Sequence, residues 1–214
     1  MAFFDNTRKP TGLGGRIMVS MMNIGHRSLA DWGLKYLKLN NDANVLDCGC
    51  GGGANIKKLL KLCPNGFVKG IDYSPVSVAK VNRGAVSIHR CVVLQGNVAD
   101  MIFASEWFDA VTAFETVYFW PDLLQSFKEV YRVLKSGGTF LICNECNGDN
   151  AENEKWTEKV SGMIIYKDVQ LKAILEQAGF HDIQIHKNEK GWLCILVQKQ
   201  QYDAEGIKYS ERDI

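Results

Sequence analysis

The sequence predicts a doubly wound α/β domain on a mostly parallel sheet, and three observations carry that prediction. Short apolar runs alternate with helix-period stretches from Asn44 to Leu134. The first run, Val45-Leu46-Asp47-Cys48, breaks into glycines at 49, 51 and 53 just before a helical pattern begins. The second run, Phe67 to Asp72, ends on an acidic residue about twenty positions after that turn, where a ribose-binding carboxylate is expected in such folds.

Taken in order, Asn44 to Cys48 reads as a buried strand. Asn55 to Leu62 reads as a helix with Ile56, Leu59, Leu60 and Leu62 apolar. Phe67 to Asp72 is the second strand, and Ser74-Pro75 supplies a cap and a first-turn proline for a helix from about Pro75 to Arg83. His89 to Leu94 is β-branched and reads as the third strand, and Trp107 to Phe114 as the fourth. Pro121 opens a helix whose apolar face is Leu124, Phe127, Val130, Tyr131 and Leu134, closed by Gly137; Thr139 to Glu145 is the fifth strand. A last helix carries Leu171, Ile174, Leu175 and Ala178 and stops at Gly179, before two runs at Ile183 to His186 and Trp192 to Val197.

A glycine-rich turn from strand to helix lets backbone approach a ligand, and with the acidic residue it describes a first βαβ unit that holds an adenosine-type molecule. Dinucleotides carry a pyrophosphate and call for G-x-G-x-x-G; here the spacing is D-x-G-x-G-x-G. With these residues the chain resembles the class I S-adenosylmethionine-dependent methyltransferases from about Ala43 to Lys199. Val45 to Gly53 is similar to the family's first motif, and further matches follow in order. They are Gly70-Ile71-Asp72-Tyr73-Ser74, Gln95-Gly96-Asn97-Val98, Phe108-Asp109-Ala110-Val111, and the run from Glu129 to Gly138.

The resemblance implies a seven-stranded Rossmann-like sheet with an antiparallel C-terminal hairpin strand. It implies S-adenosylmethionine as methyl donor, with S-adenosylhomocysteine as product, and transfer by in-line displacement to a small-molecule acceptor. The cofactor-binding residues implied are Asp47, Cys48, Gly49, Gly51, Gly53, Asp72, Tyr73, Ser74, Asn97, Val98 and Phe114. Asp72 would accept from the ribose hydroxyls and Tyr73 would flank adenine. At the third strand the family usually has an Asp that accepts from the adenine amino group; this chain has Asn97, with Asp100 nearby as a substitute. Past the fourth strand, Phe114 to Pro121 gathers aromatics and one carboxylate. Trp32, Tyr118 and Trp120 are the candidates for an acceptor pocket, and His26 and Glu115 for a proton-accepting role. The D/N-P-P-Y/F sequence of base-amino methylating enzymes, a Pro-Cys nucleophile and a paired-glutamate hairpin are all missing, which disfavours nucleic-acid and protein-arginine acceptors. The alternative from another class is a protein that binds the same cofactor as a sensor or assembly partner without transferring its methyl.

Bulk properties narrow the reading further. With 214 residues and 46% hydrophobic content the chain can bury one substantial core. Lys and Arg total 25 against 24 Asp and Glu, so no long-range field favours nucleic acid or an anionic membrane. No run is long enough to span a bilayer and the opening residues lack a secretion pattern, so a cytoplasmic protein, monomer or homodimer, is expected. Seven cysteines lie mostly in apolar runs and read as reduced packing residues. Cys143 and Cys146 have no second pair to complete a zinc site, so no metal is expected. The organisation expected is an N-terminal helical cap over residues 1–40, a cofactor-binding domain over 41–200 and a polar tail over 201–214. Within the cap, Gly12 to Gly15 with Met18, Met21 and Met22 read as a mobile lid, and Cys146 to Ile165 as a second segment over the acceptor pocket.

Overall fold

The computed structural model describes residues 25–83, 89–150 and 153–201. The proposed lid, with Gly12 to Gly15 and Met18 to Met22, and the tail over 202–214 lie outside the described residues. Seven strands form one sheet: β1 (Asn44–Cys48), β2 (Phe67–Asp72), β3 (Cys91–Gln95), β4 (Phe108–Phe114), β5 (Leu134–Asn144), β6 (His181–Lys187) and β7 (Leu193–Gln198). Their order is β3-β2-β1-β4-β5-β7-β6. The first five run parallel, and β7 pairs antiparallel with both β5 and β6. This is the doubly wound sheet with a closing antiparallel hairpin that the sequence predicts.

Six α-helices lie among the described residues: α1 (Arg27–Gly33), α2 (Ala54–Leu62), α3 (Pro75–Arg83), α4 (Leu123–Val133), α5 (Glu154–Lys159) and α6 (Asp168–Gln177). The period-two pattern of the strands divides the core into two layers. Leu46, Val111, Ala113, Phe140, Ile142 and Ile195 face one side and pack with Phe127, Val130, Leu171 and Leu175. Val45, Ala110, Phe114, Leu141 and Cys194 face the other and pack with Leu29, Ile56 and Leu59. Strands covered on both faces must be apolar throughout, which is why the runs read as continuous rather than alternating.

The structure moves several boundaries, among them the start of β5, which is Leu134 where Thr139 was expected. α4 ends at Val133, ahead of the predicted stop at Gly137, because Leu134 is already extended and pairs with Phe108 on β4. Its start is set by Asp122, whose Oδ1 accepts from the Gln125 N–H at 3.1 Å. The third strand begins at Cys91 and not at His89. Of the two short helices expected within the first forty residues, the one over His26 to Leu39 forms as α1, and the one over Ile17 to Ile24 lies outside the described residues.

All seven cysteines are free thiols. Cys143 and Cys194 face each other across β5 and β7, and burial pushes the Cys143 thiol well above its ordinary range. Burial likewise raises Cys91 to about 11 and Cys146 to about 12, so neither is a reactive thiolate at neutral pH. Among the described residues no helix is long and apolar enough to cross a membrane.

Candidate functional site

The site lies where β1 has β2 on one side and β4 on the other. Chains leaving β1 and β4 depart to opposite faces there, and a crevice opens at the carboxyl ends of the strands. A cavity of ≈340 Å³ occupies it. One wall is the turn from β1 to α2. Gly49, Gly51 and Gly53 all take positive φ, +71°, +51° and +76°, a conformation that costs a side-chain-bearing residue about 1–3 kcal/mol. Gly49 also passes so close to the β4 loop that a Cβ on it would stand 2.0 Å from Thr116 Oγ1. A Cβ on Gly51 would meet no protein atom within 4 Å, and Gly51 lines the cavity, so an added side chain would occupy room on the ligand side.

Asp72, at the end of β2, holds this turn in place. Its Oδ2 accepts from the Gly51 N–H at 2.8 Å, and its Oδ1 accepts from the Ser74 N–H at 2.8 Å. The Ser77 side chain is a further hydrogen-bond partner of the carboxylate, which still has acceptor capacity to spare where it lines the cavity. Burial raises its pKa, and the backbone hydrogen bonds from Ser74 and Gly51 pull the other way. Asp47 stands beneath the turn and does not line the cavity. Thr112 Oγ1 donates to its Oδ1 at 2.8 Å, Oδ2 is buried without a partner, and desolvation pushes the pKa up to about 7.

Of the other cofactor residues expected, Tyr73, Asn97, Val98 and Phe114 line the cavity, whereas Cys48 and Ser74 are buried behind it and Gly53 packs toward Val81 on α3 without lining it. Asn97 folds into an Asx turn, its Oδ1 accepting from the Ala99 N–H at 3.0 Å. Asp100, the substitute for the missing acidic residue, is exposed and does not line the cavity.

The opposite wall comes from the segments after β4 and β5. Glu115 has φ +58°, a strained conformation for a residue with a Cβ. Its N–H donates to the Cys143 carbonyl at 2.9 Å, and its side chain reaches across to β5. Glu115 Oε1 accepts from the Tyr118 hydroxyl at 3.1 Å and from the Glu145 N–H. Desolvation pushes the Glu115 pKa up to about 7, against the lowering effect of His26. His26, just before α1, brings Nδ1 to 3.5 Å from Glu115 Oε2 and 3.6 Å from Glu145 Oε1. Burial alone would lower its pKa; the two carboxylates outweigh that and raise it.

Two of the three aromatics proposed for an acceptor pocket sit elsewhere. Trp32 packs on Tyr36, with ring centroids 5.6 Å apart, and on Trp192 at 6.1 Å, because α1 turns that face toward the α1–β7 layer. Tyr118 is buried behind Glu115, with its hydroxyl accepting from the Cys146 N–H at 2.9 Å, so it braces the carboxylate without reaching the cavity. Trp120 does line the cavity, held by Nε1 donating to Thr116 Oγ1 at 3.1 Å. The segment from Cys146 to Ile165 is tied to the same corner, the Ile164 N–H donating to the Tyr118 carbonyl at 3.0 Å, and none of it lines the cavity.

Sequence reasoning missed Glu145, and it placed Thr116 and Phe119 within the Phe114 to Pro121 segment without singling them out. Nothing in the local pattern marks Glu145: it lies one residue past β5 and gains its meaning from His26 and Glu115, which are distant in sequence. Thr116 could have been suspected only by knowing that it fills the space over Gly49.

The model of a family described as a methyltransferase domain matches residues 46–142, the stretch from β1 through most of β5 that carries the glycine turn and Asp72. The matched stretch, 97 of the 214 residues, is similar to that methyltransferase-domain family and carries most of the motifs for which the chain resembles the class I S-adenosylmethionine-dependent methyltransferases. It is 26% identical over 179 residues to 2-methyl-6-phytyl-1,4-hydroquinone methyltransferase of Spinacia oleracea, covering 81% of this chain and 50% of the relative. It is 33% identical over 121 residues to demethylmenaquinone methyltransferase of Listeria monocytogenes, covering 55% and 50%. The chain thus spans about half the length of these curated relatives. Among solved structures, phosphoethanolamine N-methyltransferase 2 of Haemonchus contortus in complex with S-adenosyl-L-methionine superposes with a TM-score of 0.78. The identity is 16%, over 94% of this chain and 60% of that one, so the likeness is one of fold.

Proposed function

We propose that the chain is an S-adenosylmethionine-dependent methyltransferase acting on a small-molecule acceptor. The observation that carries this is the pinned glycine turn: Gly49 and Gly51, both in the left-handed region and Gly51 held by Asp72, border a cavity that extends to Glu115 and Trp120. Gly51 leaves room there that a side chain would take, which fits a ligand lying against the backbone.

In this reading the turn and Asp72 receive the methionyl and ribose parts of the cofactor, with Asp72 accepting from the hydroxyls through its remaining lone pairs. Tyr73, Asn97 and Val98 border the adenine; the Asn97 amide can donate and its carbonyl can still accept a second hydrogen bond. The cofactor supplies an activated methyl on a sulfonium, so the chain's main task is to hold the acceptor in line with it and to exclude water. Phe114, Phe119, Trp120 and Pro121 give the acceptor end an apolar wall, and His26 and Glu115 are the ionisable groups beside it. The names of the relatives, which act on a phytyl hydroquinone and on demethylmenaquinone, support a small molecule as the acceptor class.

Calorimetry tests the reading. S-adenosylmethionine and S-adenosylhomocysteine should each bind with one-to-one stoichiometry, and NAD at equal concentration should not bind. Binding of NAD in preference to either would overturn it.

A further inference from the structure

His26, Glu115 and Glu145 come from three separate places in the chain: the start of α1, the end of β4 and the end of β5. Their ligand-capable atoms all lie within 4.8 Å of one another. The separations do not suit a direct hydrogen bond. A charge-assisted N–H to carboxylate contact closes to about 2.7–2.9 Å. Here Nδ1 stands 3.5 Å from one carboxylate and 3.6 Å from the other, and this buried nitrogen makes no hydrogen bond. Two donors bound at about 2.1 Å to a tetrahedral cation stand about 3.4 Å apart, close to both separations from His26 Nδ1.

The surroundings are also those of a metal ligand. Glu115 Oε1 is occupied by the Tyr118 hydroxyl and the Glu145 N–H, which fixes the carboxylate and leaves Oε2 toward His26. Such outer hydrogen bonds orient ligating carboxylates. Among the described residues no Lys or Arg lines the cavity beside Glu115.

We infer that His26 Nδ1, Glu115 Oε2 and Glu145 Oε1 form a binding site for one divalent first-row transition cation at the acceptor end of the cavity. One imidazole with two carboxylates suits Mn²⁺, Fe²⁺, Co²⁺ or Zn²⁺ better than Mg²⁺ or Ca²⁺, which favour oxygen alone. Three protein ligands leave a coordination position for another molecule, the pattern of a catalytic site rather than a structural one. The expectation of no metal rested on the cysteines and did not weigh this group.

The site gives His26 and Glu115 a shared task as ligands. An acceptor hydroxyl on the cation would lose its proton to solvent more readily. Its oxygen lone pair would then form the new C–O bond while the C–S bond breaks and its electron pair stays on sulfur. That step rests on the methyltransferase reading; the cation site itself does not.

The test is titration of chelator-stripped protein with Mn²⁺, free ion being read by electron paramagnetic resonance, beside calorimetry with S-adenosylhomocysteine on the same samples. One equivalent of Mn²⁺ should bind and be displaced by Zn²⁺. Glu145→Gln, whose side chain is partly exposed and makes no other contact of note, should weaken Mn²⁺ at least about tenfold and leave S-adenosylhomocysteine affinity unchanged. His26→Gln should weaken it comparably. Absence of saturable Mn²⁺ binding, or equal binding in the parent and both variants, would overturn the cation site. If Mn²⁺ behaves as expected but S-adenosylhomocysteine does not bind, the cation site stands and the methyltransferase reading falls.

Discussion

The two walls of the cavity are made of different material. On the β1–β2 side the surface is backbone: Gly49, Gly51 and Gly52 of the turn, held by one carboxylate from the next strand. On the β4–β5 side it is side chains, with Glu115 and Trp120 from the loop after β4 and His26 carried in from far away in sequence, braced by Tyr118 and Thr116. A backbone wall can recognise only what every ligand of the family shares. A side-chain wall can be changed one residue at a time without disturbing the turn opposite, so it is where acceptor choice can vary while the cofactor stays the same.

The sharpest way to break this contrast is Gly49→Ala. The added Cβ would overlap Thr116 Oγ1 and force a side-chain-bearing residue to φ +71°. Strain and overpacking together should cost about 4 kcal/mol in denaturant unfolding. A loss under about 1 kcal/mol would mean that the two walls are not in contact as described.

The same contrast explains what could be read from the sequence. β1, the turn, β2 and Asp72 were legible because their meaning is local: strand period, glycine spacing and the twenty-residue interval suffice. The hairpin of β6 and β7 was legible from its two short runs. Trp32 and Tyr118 were misplaced because an aromatic near a site in sequence is not thereby near it in space; α1 turns Trp32 onto Trp192, and the 3₁₀ turn at Val117–Phe119 sends Tyr118 inward. Glu145 was invisible because its partners are non-local. The early stop of α4 was missed because pairing of Leu134 with Phe108 overrode a good helical pattern.

Asp47 sharpens the contrast from beneath the backbone wall. Its pKa rises from 3.8 in the reference state to about 7 in the fold, with Asp72 the acidic neighbour that adds to the desolvation. Between those values the native state holds more protons than the unfolded chain. Stability therefore falls as pH rises from about 4 to about 7, by an amount on the order of 2–4 kcal/mol. Glu115, also pushed up to about 7, adds a slope of the same sign, so Asp47→Asn should make the slope clearly shallower without abolishing it, measured by denaturant unfolding at pH 5 and pH 8. A parent protein that gains stability over this range, or a variant with the same slope, would contradict the assignment.

Asp72→Ala should weaken S-adenosylmethionine binding by about 1.5–3 kcal/mol, the range for hydrogen bonds to a charged group. Because Asp72 also holds the Gly51 and Ser74 N–H groups, the turn should exchange faster with solvent in the variant. Binding as tight as in the parent, at unchanged stability, would remove Asp72 from the ribose site.

On the side-chain wall the smallest effect is expected from Tyr118→Phe. It leaves the Cys146 N–H without its acceptor and Glu115 with one donor fewer. A stability loss of about 1–2 kcal/mol should follow, with cofactor affinity unchanged. A fall in cofactor affinity larger than the fall in stability would show that the walls are not independent.

Hydrogen exchange with and without S-adenosylhomocysteine tests most directly whether the cofactor lies on the glycine turn. Exchange should slow in peptides covering residues 49–53, 72–74 and 96–98, and remain unchanged in 153–165. Unaltered exchange across 49–53 and 96–98 at saturating ligand, with protection confined to other segments, would contradict a cofactor site built on this turn.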